Sequence, residues 1–320
     1  MIPAHPGGPR HTRIWRGAAL AAGLLLAPTV ALSGCGSPAS ASCRPGVICA
    51  IGAENEYANV LSQIGGRYVS VASVLNNPNT DPHTFEVSPK VAEEVSAAKL
   101  VVQNGVGYDQ FMNTIESASP SSTRRVIVAQ HVLGLPDGTS NPHLWYDPRT
   151  MPAVARALTT ALDALSPRHK AYFEDHLRAF DASLAPWFHA IAAFKARYAG
   201  TPVATTEPVA DYLLSAMGAA NLSPMVFQLN IMNGVDPSPQ DITLENGLLT
   251  GRVVKVFCYN QQVVSSLTES IRQTAESANV PVVGVYETMP TPGYDYQRWM
   301  LAEVAAIQAA VVQGRSTPHL

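Results

Sequence analysis

The chain has 320 residues, of which 47% are hydrophobic and 14% charged, and its formal net charge is −3. This length suits two ordinary domains, and the apolar content excludes a wholly disordered chain. A chain with more acidic than basic residues lacks the polycationic surface that DNA and RNA require, so we expect no nucleic-acid partner. Past the N-terminal region no apolar run reaches 18 residues, so the sequence predicts no membrane-spanning helix there.

The first 45 residues have the pattern of a secretion signal followed by a tether. Three arginines precede an apolar stretch at residues 18–32, which is the order of a secretory signal peptide. The stretch ends in LSGC, which resembles a bacterial lipobox, the motif whose cysteine is lipidated. We predict a signal peptide at residues 1–34, a lipid anchor on Cys35 and a flexible tether at residues 35–45. The protein would then lie on the extracytoplasmic face of the cell membrane. Loss of the signal leaves 18 basic and 24 acidic residues, a net charge of −6.

With Cys35 lipidated, three cysteines remain in the exported protein. Because three is an odd number, at most one disulfide forms within the chain, and the pair closest in sequence is Cys43 with Cys49. Cys258 is far from both in sequence. The sequence contains no C-x-x-C pair, so we expect no thiolate metal site.

Short apolar runs in the first half predict strands at residues 47–53, 99–103 and 125–129. Helical patterns lie between these runs, and strands that alternate with helices predict a parallel sheet. We assign residues 46–165 to an N-terminal α/β lobe.

The longest helical pattern separates the two halves of the chain. Ser166 and Pro167 supply an N-cap and a first-turn proline, and Gly200 follows the end. The apolar residues of this pattern lie on one face, at alternating steps of four and three: Phe173, Leu177, Phe180, Leu184, Trp187, Ile191, Phe194 and Tyr198. We predict one rigid helix within residues 166–199, with about 32 helical residues and a length of about 48 Å at ~1.5 Å per residue, and a kink at Pro186.

The second half repeats the strand and helix pattern, with apolar runs at residues 202–206, 252–259 and 280–286. Such near-continuous apolar strands indicate sheets that are covered on both faces. We assign residues 200–320 to a C-terminal α/β lobe. The predicted fold class is therefore α/β, with two lobes of mainly parallel sheets covered by helices and joined by the long helix.

Two glutamates directly follow predicted strands of the second lobe. Glu207 comes after the run VATT, and Glu287 comes after VVGVY. Ligands of open parallel sheets bind beyond the carboxyl ends of the strands, so both side chains should point toward one crevice. A single glutamate at such a position is more often a charge at a helix N-terminus.

Two histidines of the first lobe lie in similar turns. His83 ends the triplet D-P-H and His143 ends the triplet N-P-H, and a helical pattern begins a few residues after each. A helix N-terminus disfavours protonated imidazole, so these rings should be neutral and able to coordinate a metal. A lone triplet of this kind is more often a structural turn. His131, after the third predicted strand, is a further candidate.

Together, two histidines and two carboxylates from four loops form the nitrogen and oxygen donor set that suits Mn²⁺, Zn²⁺ or Fe²⁺. Two ionised glutamates also neutralise a divalent cation, which lowers the cost of burying it. The combined pattern therefore predicts one metal site between the lobes.

Several segments resemble the metal-binding lipoproteins of bacterial ABC importers for zinc and manganese, the cluster A-I solute-binding proteins. The resemblance covers nearly all of the chain beyond the signal and lies in IGGRYVSVASVLNNPNTDPHTFEVSP, LVVQNGVGYDQFM, NPHLWYDP, TPVATTEPVADYLLSAMG and PVVGVYETMPTPGYDYQRWM. It implies two lobes joined by a long helix, with one metal ion in the crevice between them. It also implies a monomer that is not an enzyme and that delivers the ion to an ABC permease.

The resemblance further implies the identity of the ligands. The family's two histidine ligands match His83 and His143, its third ligand, His or Glu, matches Glu207, and its fourth, usually Asp, matches Glu287. Glu287 is one methylene longer than that aspartate. The histidine-rich loop of the zinc-importing branch is missing from the sequence, where the stretch before the second histidine is only LPDGTSN. A carboxylate-rich set favours manganese or iron by hardness, whereas the Irving–Williams order favours zinc, so the metal stays open.

Three other functions stay open at this stage. A metal-dependent hydrolase would need a bound water and a base, for which Glu54 or Glu56 could serve, although the sequence lacks G-x-S-x-G, G-x-G-x-x-G and P-loop motifs. A surface adhesin would use the metal only for stability. A binding protein for iron–siderophore or cobalamin would need walls lined by aromatic residues and arginine instead of a quartet of His and Glu.

Overall fold

The computed structural model describes residues 46–79, 82 and 85–320. The predicted signal peptide, the lipidation site Cys35, the tether, Cys43 and the candidate ligand His83 all lie outside the described residues. Cys49 is disulfide-bonded, and Cys258 is a free, buried thiol. The pairing of Cys49 with Cys43 stays a prediction.

Strands and helices alternate along the described chain. The strands are β1 (Ile48–Glu54), β2 (Val69–Leu75), β3 (Leu100–Gln103), β4 (Arg125–Val128), β5 (Pro202–Thr205), β6 (Ala220–Asn221), β7 (Val256–Asn260) and β8 (Val282–Val285). The helices are α1 (Asn55–Gly65), α2 (Pro89–Ala97), α3 (Gln110–Ala118), α4 (Ala129–Val132), α5 (Thr150–Leu165), α6 (Lys170–Ser183), α7 (Ala185–Tyr198), α8 (Asp211–Ala216), α9 (Met225–Met232), α10 (Pro239–Thr250), α11 (Ser266–Ser277) and α12 (Tyr296–Gln313).

The two sheets have the same topology. Each has four parallel strands, in the order β2-β1-β3-β4 in the first lobe and β6-β5-β7-β8 in the second. Each of the six apolar runs overlaps a strand, which confirms the predicted parallel α/β fold. The apolar pattern did not predict β2 or β6. Both are edge strands with partly exposed residues, so their hydrophobic signal is weaker.

The helices near the two histidine turns begin largely where their sequence signals predict. The Ser88 hydroxyl caps α2 by accepting from the backbone N–H of Val91 at 3.3 Å, with a proline in the first turn. α5 begins at Thr150, seven residues after His143. In the second lobe, α8 begins at Asp211, because a turn in which the Asp211 N–H bonds to the Pro208 carbonyl comes first.

The structure divides the predicted long helix into α6 and α7, which are separated by Leu184. Pro186 has no backbone N–H, so it cannot bond to the carbonyl of Ala182, and the regular helical hydrogen bonding is interrupted there. The predicted apolar stripe is confirmed on both helices. Leu177 and Tyr198 are partly buried and the other six residues are buried.

One hydrophobic core extends through both lobes. It contains residues of both sheets, such as Val102 of β3 and Val256 of β7, together with Trp187 of α7 and Trp299 of α12. Each sheet also has a smaller core of its own, around Val101 in the first lobe and Phe257 in the second. The lobes therefore share buried surface. All described residues belong to one unit of the chain, Ser40–Leu320.

Among the described residues, no helix combines the length and the apolar content that crossing a bilayer requires.

Candidate metal centre

Glu207 and Glu287 lie close together beyond the carboxyl ends of β5 and β8. Their side chains are buried, with 1% and 0% exposed. β7 lies between these strands, and its last residue, Asn260, joins the two carboxylates. Asn260 Nδ2 donates to Glu207 Oε1 at 3.0 Å and to Glu287 Oε1 at 2.6 Å. A neutral donor between two carboxylates offsets part of their repulsion and sets their separation.

The backbone that carries Glu287 is held by Gln262. The side-chain oxygen of Gln262 accepts from the N–H groups of Glu287 and Thr288, at 2.5 and 2.9 Å. Its amide nitrogen donates to the Thr288 hydroxyl at 2.8 Å. These bonds fix the direction in which the Glu287 side chain projects from the strand end.

The first lobe contributes His143, which is 0% exposed. Its Nδ1 lies 2.8 Å from Asn141 Oδ1. Asn141 Nδ2 donates to the Pro208 carbonyl at 2.7 Å, so the amide oxygen is correctly placed as the acceptor. An amide oxygen only accepts, so the proton is on Nδ1 and Nε2 carries the lone pair that a metal binds.

The lone-pair nitrogen of His143 faces the Glu287 carboxylate. His143 Nε2 lies 3.5 Å from Glu287 Oε2. Two ligands at about 2.1 Å from one tetrahedral ion lie about 3.4 Å apart, so this spacing suits joint coordination of a single ion. The Tyr108 hydroxyl donates to the same oxygen, Glu287 Oε2, at 3.0 Å.

Aromatic rings surround the imidazole. The ring centroid of Tyr108 lies 6.0 Å from that of His143 and 5.1 Å from that of Trp145, and the His143 and Trp145 centroids lie 5.4 Å apart. Trp145 is 0% exposed. Rings that exclude water lower the local dielectric constant, which strengthens any attraction between a bound cation and the carboxylates.

Hydrogen bonds between the lobes surround this centre. The Tyr212 hydroxyl of the second lobe donates to the Asn141 carbonyl at 3.0 Å. Asn55, at the start of α1, donates to the Met289 carbonyl at 2.8 Å and accepts from the Met289 N–H at 2.9 Å. The histidine loop and the start of α1 are thus both fixed to the lobe that carries the two glutamates.

Burial raises the pKa of the acidic groups at the end of β1. Desolvation is the largest cause for Glu56, whose pKa rises to about 8, and the charge of Glu287 adds to this shift. The pKa of Glu54 is raised well above its usual range, first by burial and then by the charges of Asp109 and Glu56. Burial also raises the pKa of Asp109 to about 6, although N–H groups after β3 hold it lower.

His83, the second candidate histidine, lies outside the described residues, so its place in the site stays a prediction. In the part of the chain that the structure describes, no group of three or more His, Cys, Asp or Glu side chains is arranged to hold a metal ion. His143, Glu207 and Glu287 nevertheless lie in one cluster, through the contacts of Asn260 and the 3.5 Å approach of His143 to Glu287.

The remaining histidines have other surroundings. His131 lines a cavity of about 420 Å³ together with Asp137 and Gln130, and Glu287 is not one of its lining residues. His169 stacks on Tyr68, with ring centroids 3.6 Å apart. The structure therefore leaves His143 as the described histidine at the candidate centre.

Sequence reasoning missed Asn260 and Tyr108, and it assigned no role to Asn141. The signal for Asn260 was present, because it directly follows the predicted strand at residues 252–259, just as Glu207 and Glu287 directly follow theirs. The sequence analysis considered charged side chains and histidines as ligands, whereas the uncharged amide of Asn260 is the group that bonds to both glutamates.

Comparison with known proteins finds similarity over most of the chain. The family described as zinc-uptake complex component A, periplasmic (ZnuA), matches residues 53–310. The manganese ABC transporter substrate-binding lipoprotein PsaA of Streptococcus pneumoniae is 23% identical over 277 residues, which is 78% of this chain and 84% of PsaA.

Two solved structures have the same fold. The periplasmic zinc-binding protein TroA of Treponema pallidum has a TM-score of 0.70 at 16% identity and covers 84% of this chain and 100% of its own. The solute-binding protein FpvC of P. aeruginosa, solved in complex with Ni²⁺, has a TM-score of 0.67 at 21% identity and covers 84% of this chain and 99% of its own. Both confirm the two-lobed parallel α/β fold.

Proposed function

Because the chain belongs to the ZnuA family of periplasmic zinc-uptake components, we propose that it is an extracytoplasmic metal-binding protein of an ABC importer. It captures one divalent transition-metal ion between its two lobes and delivers the ion to a membrane permease. The proposed ligands are His83, His143, Glu207 and Glu287. The ion is the cargo of the protein.

The approach of His143 Nε2 to Glu287 Oε2, at 3.5 Å, is the observation that carries this proposal. It brings a neutral nitrogen donor of the first lobe to a carboxylate of the second, at the separation of two ligands of one ion. Asn260 holds Glu207 beside Glu287. Two carboxylates balance the charge of a divalent ion, which lowers the cost of placing the ion in a buried site.

The residues around the ligands prepare them for binding. Asn141 keeps the His143 proton on Nδ1, so that Nε2 faces the cleft. Asn260 donates to the Oε1 atoms of both glutamates, which directs the Oε2 atoms toward the proposed ion. Because ligands from both lobes bind the same ion, capture would stabilise the contact between the lobes, and a permease would recognise this loaded form.

The donor set limits the class of metal. Imidazole nitrogen and carboxylate oxygen suit Zn²⁺, Mn²⁺ and Fe²⁺. The names of the three proteins above refer to manganese, zinc and Ni²⁺. We propose zinc or manganese as the foremost cargo and iron as a further candidate. Elemental analysis of protein purified without added metal, followed by competition titrations, would identify the ion.

We also propose that the chain works as a lipid-anchored monomer and catalyses no reaction. The LSGC motif at Cys35 supports the anchor. PsaA is named a substrate-binding lipoprotein and FpvC a solute-binding protein, which supports a binding role in preference to an enzymatic one.

The direct test compares two histidine substitutions in the lipid-free protein. His143→Ala should lower the affinity for Zn²⁺ and Mn²⁺ at least about 100-fold, because losing a ligand leaves buried carboxylates poorly balanced. His189→Ala, an exposed histidine on α7, is the matched control and should not change the affinity. Calorimetric titration measures both. Wild-type affinity in His143→Ala would remove His143 from the site, and the absence of any reversible metal binding in the wild type would refute the proposed function.

A further inference from the structure

Glu54 and Glu56 are two buried glutamates to which the proposed function gives no role. Glu54 is the last residue of β1, Glu56 is in the first turn of α1, and each is 0% exposed. Within the described part of the chain, none of their four carboxylate oxygens has a hydrogen-bond partner. The N–H groups of Glu56 itself and of Met289 lower the pKa of Glu56, but both lie outside hydrogen-bond geometry.

The charges around these two carboxyl groups are negative. Asp109 and Glu56 both raise the pKa of Glu54, and Glu287 raises the pKa of Glu56. Among the described residues, no lysine or arginine contributes to the electrostatics of either group. Burying an ionised carboxylate without a counter-charge costs several kcal/mol, so the pair needs either protons or a cation.

The charge of one captured ion does not balance all of these groups. A divalent ion held by Glu207 and Glu287 neutralises those two carboxylates. When ionised, Glu54 and Glu56 add two negative charges in the same region, and the two positive charges of a second divalent ion would balance them. Tyr108 links the two pairs, because its hydroxyl donates to Glu287 Oε2. Its pKa is raised well above the usual range, first by burial, then by the charge of Glu287, and after that by the charges of Glu56 and Glu54.

We propose that Glu54 and Glu56 bind a second divalent cation, adjacent to the captured ion and separate from it. The donors are carboxylate oxygens alone, which suit hard cations such as Mn²⁺, Mg²⁺ or Ca²⁺. Proteins commonly hold small hard cations with one or two carboxylates and several waters. No third acidic, His or Cys ligand joins the pair among the described residues, so water completes the coordination.

The second site differs in chemistry from the centre at His143. It has no nitrogen donor, and both of its ligands belong to the first lobe, one at the end of β1 and one in the first turn of α1, so it forms without a ligand from the second lobe. A cation there also removes the repulsion that Glu56 and Glu287 exert on each other in the metal-free protein. The second cation would balance the charge of the Glu54 and Glu56 carboxylates, so the captured ion would lie in a less negative environment.

The experiment counts Mn²⁺ ions bound per chain by equilibrium dialysis of metal-free, lipid-free protein. The wild type should bind two equivalents, and the double variant Glu54→Gln/Glu56→Gln should bind one. Glu245→Gln is the matched control. Glu245 is also fully buried, and its Oε2 has no hydrogen-bond partner in the described structure, but it lies on α10 of the second lobe. This control should keep two equivalents.

His143→Ala separates this proposal from the proposed function. It should lose the captured ion and keep the second one, which excess Mg²⁺ then displaces. A wild type that binds one Mn²⁺, or a double variant that still binds two, overturns the second site and leaves the captured ion unaffected. A wild type that binds none overturns the proposed function as well.

A second measurement covers the case in which the double variant fails to fold. Two Mn²⁺ ions bound in adjacent sites broaden each other's electron paramagnetic resonance lines. Wild-type protein with two equivalents should show this broadening, and excess Mg²⁺ should remove it by displacing the ion at Glu54 and Glu56. Unbroadened spectra at full occupancy would contradict adjacent sites.

Discussion

The two lobes repeat one sheet topology but use their strand ends differently. In the second lobe, Glu207, Asn260 and Glu287 lie at or just beyond the ends of β5, β7 and β8, in one hydrogen-bonded row. In the first lobe, the corresponding ends of β1 and β3 carry Glu54 and Asn104, and the candidate histidines come from loops.

This difference shows how one fold can build two unlike halves of the proposed binding site. Like-charged carboxylates repel each other, so they need a rigid frame, and parallel strand ends joined by an amide supply it. A neutral imidazole needs only the correct tautomer and orientation, which a loop provides when another residue fixes it. Asn141 fixes His143 in this way and bonds to the second lobe at the same time.

The largest expected effect is on the pH dependence of stability and comes from Glu303, a buried acid of the second lobe. Glu303 of α12 accepts from Trp299 Nε1 at 3.0 Å and from the Tyr146 hydroxyl at 3.2 Å, and burial raises its pKa from 4.5 to about 8. The folded protein therefore holds a proton that the unfolded chain loses as pH rises above 4.5. This contribution to stability is fully present below pH 4.5 and is lost as pH rises toward 8.

Glu303→Gln should remove this pH dependence. At pH 8 the free energy of unfolding of the metal-free variant should exceed that of the metal-free wild type by on the order of 4 kcal/mol. Near pH 4.5 the two free energies should be equal. Urea unfolding at both pH values measures the difference. Glu276→Gln, on the surface of α11, is the control and should follow the wild type. Parallel stability curves for Glu303→Gln and the wild type would show that Glu303 is ionised in the folded protein.

The next effect compares the asparagines that end β7 and follow β3. Asn260 bonds to two carboxylates, whereas Asn104 accepts from the Tyr57 hydroxyl at 2.7 Å and donates to the Pro142 carbonyl at 2.8 Å. Asn260→Ala should lower metal affinity about 10- to 100-fold, because such supporting residues orient the ligands. Asn104→Ala should mainly lower the free energy of unfolding, by about 1–3 kcal/mol. Titration calorimetry measures the metal affinity of both variants, and urea unfolding measures their stability. A larger loss of affinity in Asn104→Ala than in Asn260→Ala would contradict the prediction.

The sequence predicted the sheets better than it predicted the contacts at the site. Long apolar runs identify central strands such as β7, because both faces are buried. The pairing of Asn260 with Glu207 and Glu287 depends on β7 lying between β5 and β8, and this order is not the order of the chain. The break at Leu184 follows from Pro186, so that local feature was predictable.

A smaller effect tests how the loop of the first lobe holds its imidazole. Asn141→Ala should lower metal affinity about 10-fold, because His143 loses the acceptor that fixes its tautomer. Tyr212→Phe is the matched control. It removes the hydrogen bond from the Tyr212 hydroxyl to the Asn141 carbonyl, but it leaves the contact between the Asn141 side chain and the imidazole intact. Calorimetric titration should give nearly wild-type affinity for Tyr212→Phe. Equal losses in both variants would mean that the contact between the lobes matters, and not the tautomer.

The smallest expected effect tests the length of the second-lobe carboxylate. Glu287 Oε2 lies near both His143 Nε2 and the Tyr108 hydroxyl, while its Oε1 accepts from Asn260. Glu287→Asp shortens the side chain by one methylene but keeps the charge, so it should weaken metal binding by less than about 10-fold, within the range of a ligand-orienting change. A loss as large as that of Glu287→Ala in the same titration would show that the strand end is too rigid to compensate for the missing methylene. The hydrogen bonds of Asn260 that hold the two carboxylates would then also determine how far they reach toward the ion.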